Sequence, residues 1–435
     1  MALKIKQTSD NKNNITFGFN PVRNGIPNPP QGLPTGMPSY SHFELKPVNL
    51  PAPAPLEMPE QSLPRAVNYL ADLGGCGWWR MLWPEYLLNS YQKAVVHSNT
   101  CMVMDPRWYA GVKAIRMQRQ ATPVQRDFVR ELKKLGGQLG FRLIYEVDDI
   151  TYREDIPDYN RCKDAFLDDS IVNSITDIMG MCDEISVTCD YMKQYYQEKT
   201  GNKNITVIPN YPPKFWLGGF YNREKIQKNF EENKKRPRIL YSGSGTHVDV
   251  LNRTGLKDDF GHVVQAIIKA RKKFKFVWKG CFPLQLKPYI DSGEIEYYDW
   301  SPLPDYPRGL SETNCNATFA SLVDNNFNKS KSNIKMVEAG GLGLPGAYQD
   351  LCTYQEAEFK FKTGDELISQ LEYITADTDR YMKLSDKAYA FTDKLWLEDN
   401  IDIYSGLLFT GWGSKERNEK YPEIIRLNPD QAIIS

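Results

Sequence analysis

The chain has 435 residues, 54 Lys and Arg against 54 Asp and Glu, and four His, a length for about two or three domains and a net charge that marks neither nucleic acid nor membrane as partner. Its eight cysteines, at 76, 101, 162, 182, 189, 281, 315 and 352, show no CxxC pair or metal-ligand spacing; reduced thiols are expected and a metal site is not. No apolar run approaches the roughly 20 residues of a bilayer span and the N-terminus lacks a signal-like apolar stretch, so the expected location is the cytoplasm.

In chain order, residues 1–64 hold twelve of the 28 prolines, which excludes a helix or central strand and predicts an extended arm or plain disorder. From 65 to 221, short apolar runs at Val95-Val96, 114–117, 141–147, 184–188 and 205–208 read as buried parallel strands, and 122–135 and 189–199 as helices between them. The charged segment 222–237 reads as a linker with some helix of its own. A second α/β unit is predicted over 238–390, with strands at 238–242, 274–278, 294–298, 317–322 and 346–348. The remaining 391–435 contains an apolar, aromatic stretch at 395–412, expected as a helix returning to the first unit. The fold class is α/β, two Rossmann-like doubly wound domains, with a ligand cleft between the C-terminal ends of both sheets.

One segment, Asn328 to Pro345, carries chemistry. A polar start at Ser330–Asn333 leads into a helix on which Lys331, Lys335 and Glu338 share a face, followed by Gly340-Gly341-Leu342-Gly343. The helix start offers unpaired N–H groups to a phosphate, and a carboxylate further along can accept from both ribose hydroxyls. The same residues also describe a solvated helix face with a glycine cap, or a Lys335–Glu338 salt bridge. Gly243-Ser244-Gly245 at the end of the 238–242 strand is an anion nest or a plain tight turn. Lys279 at the next strand's end is a phosphate ligand or a solvated lysine, and His247 a ligand for phosphate or sugar or a satisfied loop histidine. Asp148 and Asp149 follow an apolar strand, where active-site carboxylates of α/β folds often lie. Three tryptophans, Trp78, Trp79 and Trp83, are core or a stacking surface.

Several of these pieces together resemble GT-B glycosyltransferases of the large retaining group 4 type: Val207-Ile208-Pro209-Asn210, Tyr241 to His247, and Lys331 to Glu338 with Gly343-Leu344-Pro345. Within that type, Gly74-Gly75-Cys76-Gly77-Trp78-Trp79-Arg80, Leu143 to Ile150, and Asp324 to Asn328 look like enzymes of T-even-like tailed phages. The resemblance implies a UDP-sugar donor, no required metal, transfer with retention, and 5-hydroxymethylcytosine of double-stranded DNA as acceptor, with arabinose or glucose as the sugar. It assigns Gly75, Gly77, Gly243, Ser244, Gly245, Lys279, Ser330, Ser332, Asn333, Lys335 and Glu338 to the donor, and Asp148, Asp149, His247 and Lys331 to the chemistry. Where the family has a Glu eight residues before the ribose Glu, this chain has Ser330.

For the acceptor, nine basic against three acidic residues between Asp105 and Arg142 predict a phosphate-binding stripe including Arg116, Arg119, Arg126 and Arg130, with Arg80 beside it and a second cluster at 271–279. Transfer to a polysaccharide, and a non-catalytic GT-B-like interaction protein, are the other two readings.

Overall fold

The computed structural model describes residues 63–409; the Pro-rich arm and the end of the 391–435 segment lie outside them. Twelve strands form two sheets: β1 Arg65–Tyr69, β2 Val95–Asn99, β3 Val112–Gln118, β4 Arg142–Glu146, β5 Glu184–Val187 and β6 Ile205–Val207 in the first; β7 Arg238–Gly243, β8 Lys275–Gly280, β9 Glu296–Tyr298, β10 Ala317–Ala320, β11 Gly346–Gln349 and β12 Phe359–Phe361 in the second. Their orders are β2-β1-β3-β4-β5-β6 and β12-β11-β10-β7-β8-β9. Every pairing is parallel.

Parallel strands need long crossovers, and the intervening helices start and stop where side chains dictate. Helix Pro123–Leu139 begins with a capping box between Thr122 and Gln125 and ends at Gly140, whose φ of 79° only glycine takes without strain. Helix Gly364–Ile374 repeats the capping box with Thr363 and Glu366. The predicted linker is largely helix, Arg223–Asn233, capped by Asn222.

Both orders place a switch point at the first strand of the sheet, where consecutive connections leave in opposite directions and open a crevice at the strand ends. In the first sheet it lies between β1 and β3, in the second between β7 and β10. The two C-terminal edges face each other. Asp149 after β4 pairs with Lys331 at 2.5 Å, Cys189 after β5 donates to the Ser330 carbonyl, and Asn210 after β6 donates to Ser332 Oγ at 2.8 Å.

Behind these edges one apolar cluster runs through both halves. Trp79, Trp83 and Trp216 pack with ring centroids 4.6–5.5 Å apart, and Trp216 stacks on Tyr306 of the second half. Two of the three sequence-adjacent tryptophans are therefore core. The returning helix, Leu397–Phe409, lays Ile401, Tyr404 and Leu408 into the same cluster, and its Asp402 takes Lys93 of the first half at 2.7 Å.

Candidate functional site

The crevice of the second sheet holds the glycine turn after β7. A Cβ on Gly243 would stand 2.4 Å from the Tyr241 hydroxyl and 2.8 Å from Lys335 Nζ, so only glycine lets that ammonium approach the turn. Ser244 is exposed, while Gly245 is buried.

The helix behind the turn is Ile334–Gly341, shorter at its start than the sequence suggests. Residues 326–329 form a separate short helix capped by Asn325, and Asn333, at ψ 25°, caps the next one without a side-chain bond. Lys331 thus precedes the helix instead of sharing its face, and the backbone N–H groups of the first turn receive no side-chain cap. Lys335 and Glu338 lie one turn apart, but they form no salt bridge. Lys335 Nζ donates to the Ser242 carbonyl and sits 4.9 Å from the Tyr241 ring centroid. Glu338 is buried, with the Tyr306 hydroxyl at 3.4 Å as its partner. Burial pushes Glu338 up to about 7 against the pull of Lys335, and burial brings Lys335 down to about 8 against the pull of Glu338. Next to them, exposed Trp300 covers Gly280 with its ring carbons 2.9 Å from a glycine Cβ position and tilts against Tyr306 at 5.3 Å.

His247 is buried, and its Nδ1 lies 2.7 Å from Asp259 Oδ2. Burial lowers its pKa more than Asp259 restores it, so the ring is neutral. The carboxylate is an acceptor, hence Nδ1 carries the hydrogen and Nε2 presents a lone pair. Such a nitrogen accepts from a hydroxyl and repels a phosphate oxygen.

Across the cleft, the loop after β1 makes a tight turn around Asp72, whose Oδ1 accepts from the N–H of Gly74 at 2.7 Å and of Gly77 at 3.3 Å. A Cβ on Gly77 would stand 2.1 Å from the Asp72 carbonyl, whereas Gly75 is exposed and open. Arg119, after β3, bridges Asp72 and Asp148, the latter at 3.6 Å. Burial raises the Asp148 pKa, and Arg119, a Cys76 hydrogen bond and other cations outweigh that and leave it low. β4 ends at Glu146, so strand alternation does not orient Asp148 and Asp149; each is turned by its own partner, Arg119 or Lys331.

Several sequence expectations are corrected by burial. Arg80 and Arg116 do not reach a phosphate: both are enclosed, 0% and 2% exposed, on the fully buried Glu146. Lys279 is 3% exposed and donates to the Asp299 carbonyl at 3.0 Å and Ser301 Oγ at 2.7 Å, away from any solvated phosphate. Ser330 is fully buried, its hydroxyl donating to the Phe327 carbonyl at 2.7 Å. The basic stripe is largely neutralised on the surface. Arg126 and Arg130 pair with Asp127, Arg126 also with Asp177, Lys133 with Asp183, and Lys134 with Glu131. In the second cluster Arg271 pairs with Glu294 and Lys273 with Glu372.

Sequence reasoning missed Asp72, Asp259, Tyr306 and Trp300 as parts of the cleft. The aromatic run Tyr297-Tyr298-Asp299-Trp300, which ends one strand and continues just past it, was a signal for the last. Among the described residues no group of three His, Cys, Asp or Glu is placed to hold a metal, and no helix is long and apolar enough to cross a membrane.

No family model matches this sequence, and no curated protein does. Solved structures do resemble the fold. Anabaena Alr3699/HepE in complex with UDP and glucose matches with a TM-score of 0.50 and 11% identity, covering 80% of this chain and 99% of that one. S. aureus TarM in complex with Fondaparinux, alpha-GlcNAc-glycerol and UDP gives 0.46 and 8%, over 68% and 55%, and the UDP-GlcNAc 2-epimerase from Methanocaldococcus jannaschii 0.39 and 10%, over 81% and 100%. With two separate six-stranded parallel sheets whose C-terminal ends face each other, the chain has the two-domain GT-B fold.

Proposed function

We propose that this protein is a glycosyltransferase that takes its sugar from a UDP-sugar. One observation carries the reading: Glu338, a buried carboxylate with a single long hydrogen bond, stands at the second sheet's switch point beside Lys335, Lys331 and a glycine turn. A carboxylate so placed lacks donors, and a ribose diol supplies two. The diphosphate belongs next to it, on Lys331, Lys335, Gly243 to Gly245, and the N–H groups of Ser332, Asn333 and the first helical turn. The Trp300 face, beside Tyr306, is suited to the base. UDP bound in the Anabaena structure is consistent with this donor.

Transfer breaks the bond from the anomeric carbon to the diphosphate oxygen, UDP leaves with the electron pair, and the acceptor oxygen bonds the same carbon. Lys331 and Lys335 offset the charge that grows on the diphosphate. Asp148 is held by Arg119, and Asp149 by Lys331 until a phosphate displaces it, so neither is a free base. This supports retention, with the acceptor proton passing to the departing phosphate on the same face. Asp149, once released, positions the acceptor. His247 Nε2 accepts a sugar hydroxyl, and the turn at Gly75 and Gly77 forms the opposite wall.

For the acceptor we keep 5-hydroxymethylcytosine in double-stranded DNA, with arabinose or glucose transferred. The support is the likeness of residues 74–80, 143–150 and 324–328 to phage enzymes; with Arg80 and Arg116 buried and Arg126 and Arg130 paired, the basic stripe no longer adds to it. The test incubates the purified protein with a panel of UDP-sugars and hydroxymethylcytosine DNA, unmodified DNA or a glycan mixture, and reads nucleosides by mass spectrometry and UDP by a coupled assay, beside Glu338→Ala. A pentose or hexose mass on hydroxymethylcytosine alone, absent with the variant, is the expected result. UDP release without DNA labelling moves the acceptor to a glycan. Failure to bind UDP or any UDP-sugar refutes the transferase reading and leaves a GT-B-like interaction protein.

A further inference from the structure

The loop that follows β4 runs along the cleft from one half to the other. It contains two short turns, Arg153–Asp155 and Arg161–Phe166, and belongs in sequence to the first half. Its side chains are nonetheless fastened to the second half at three places. Asn326 Nδ2 donates to Asp155 Oδ1 at 2.6 Å. The Tyr159 hydroxyl donates to Asp259 Oδ1 at 2.8 Å, on the same carboxylate that holds His247. Arg253 grips Asp164 with both terminal nitrogens, at 2.8 and 2.5 Å. Between the last two anchors the chain is held further by Asn160, fully buried, whose Oδ1 accepts from the Cys162 N–H at 2.8 Å.

The residue these anchors position is Arg161. Its Nε and Cζ lie 3.4 and 3.5 Å from the point where a Cβ on Gly245 would stand. The guanidinium thus lies against the glycine turn after β7, close to Cys281 and Cys162, whose thiols burial pushes up against a smaller opposing pull from Arg161. Among the described residues no carbonyl, carboxylate or hydroxyl accepts from it, whereas Arg253 and Arg119 close by both have partners. An arginine held from both sides over an anion-binding turn, with five donors and no acceptor, is arranged for a ligand.

We propose that Arg161 is the first half's contact with the diphosphate of the donor, a catalytic arginine delivered across the cleft and present there only while the 153–166 loop is docked. This rests on the nucleotide-sugar reading above. The planar fork takes two phosphate oxygens, and its contribution grows as charge moves onto the leaving UDP. Two cations then come from the second half, Lys331 and Lys335, and one from the first, so the full electrostatic complement assembles only when both halves close on the donor.

The experiment compares wild type, Arg161→Met and Arg161→Lys by calorimetric binding of UDP and of uridine, by turnover of the UDP-sugar, and by melting temperature. For Arg161→Met the expected outcome is UDP affinity lower by about ten- to hundredfold, uridine affinity unchanged, kcat reduced further than binding, and an unchanged melting temperature, because no protein partner is lost. Arg161→Lys, which keeps the charge but not the fork, is expected to fall between. UDP binding and turnover within twofold of wild type in a folded Arg161→Met protein overturn the assignment while leaving the transferase reading intact. Equal losses for UDP and uridine also overturn it, since they report a displaced loop and no phosphate contact. If wild type itself binds no UDP, the donor reading fails and Arg161 loses its ligand with it.

Discussion

Replacing Glu146 with alanine separates a structural from a ligand-binding role for the two arginines on it. Glu146 is fully buried at the end of β4. Its Oε1 accepts from Arg80 Nε at 2.6 Å, and its Oε2 from Arg116 and from the Ser186 hydroxyl. Burial alone pushes the Glu146 pKa up; Arg116 and Arg80 together outweigh it and hold the group below its ordinary range, so it is ionised. Around it, Arg80 also donates to the Ile208 carbonyl at 2.6 Å and Asn210 Oδ1 at 3.0 Å, Arg116 donates to the Arg80 carbonyl at 2.7 Å, and Tyr404 of the returning helix covers Arg116 at 5.4 Å. The alanine variant leaves two enclosed guanidiniums without the carboxylate that both of them pair with. Breaking a buried pair in this way costs about 3–5 kcal/mol, and two stranded cations put Glu146→Ala at the upper end. Arg116→Met leaves the neutral Arg80–Glu146 pair intact and is expected to cost about 1–3 kcal/mol. Urea denaturation followed by tryptophan fluorescence reads the difference, because Trp79, Trp83 and Trp216 cluster in the adjoining core. The depressed pKa fixes the pH dependence: the contribution of Glu146 is full above about 4.5, the ordinary value, and is lost as pH falls through the folded one. A cost below about 1 kcal/mol for Glu146→Ala, or a larger cost for Arg116→Met than for Glu146→Ala, refutes the argument.

The proposed donor site carries its own expected pH signature. Glu338 must be ionised to accept from ribose and Lys335 protonated to face phosphate, so UDP affinity is expected to be highest between about 7 and about 8 and to fall on both sides; calorimetry across pH checks this, and Glu338→Gln should remove the acid limb. Gly243→Ala drives a methyl to 2.4 Å from the Tyr241 hydroxyl and 2.8 Å from Lys335 Nζ; UDP binding is expected to drop by about tenfold or more as the ammonium is displaced, a shift of about 1.4 kcal/mol. Tyr241 itself is 1% exposed and its hydroxyl has no hydrogen-bond partner among the described residues, so Tyr241→Phe should be neutral or stabilise by about 1 kcal/mol in urea denaturation. The same change should also recover part of the loss in Gly243→Ala, which a double-mutant cycle measures.

Most of the fold was legible because parallel strands buried on both faces are written as short apolar runs. The two strands the sequence did not reveal are β1, where Arg65 and Asn68 flank only Ala66-Val67, and the three-residue β12 at the edge of its sheet. Glu338, Lys335 and the glycine turn were legible as residue types at fixed spacing along one segment. Burial of charge was not. Arg80, Arg116 and Lys279 look in sequence like Arg126 and Arg130, and only the partner across the fold, Glu146 or the 299–301 loop, separates an enclosed cation from a solvated one. Asp259 was equally hidden, since what makes it central is the arrival of Tyr159, His247 and Asn328 from three different stretches.

The departure at Ser330 has a physical basis of the same kind. A longer acidic side chain in that place would have to fit where Ser330 is wholly enclosed, with its carbonyl against Cys189 of the first half and its hydroxyl on Phe327. Phe327 in turn is 2% exposed and belongs to the first half's apolar cluster. The first half therefore covers the position from which the resembling enzymes reach the donor sugar. On the transferase reading proposed above, the sugar would be held instead by two groups of the cleft, the buried His247, with a lone pair fixed by Asp259, and Asp149, which a phosphate arriving at Lys331 would set free. Both are acceptors, so the sugar they suit presents hydroxyls at their positions, and in that reading a contact assembled from both halves takes the place of the glutamate missing at 330.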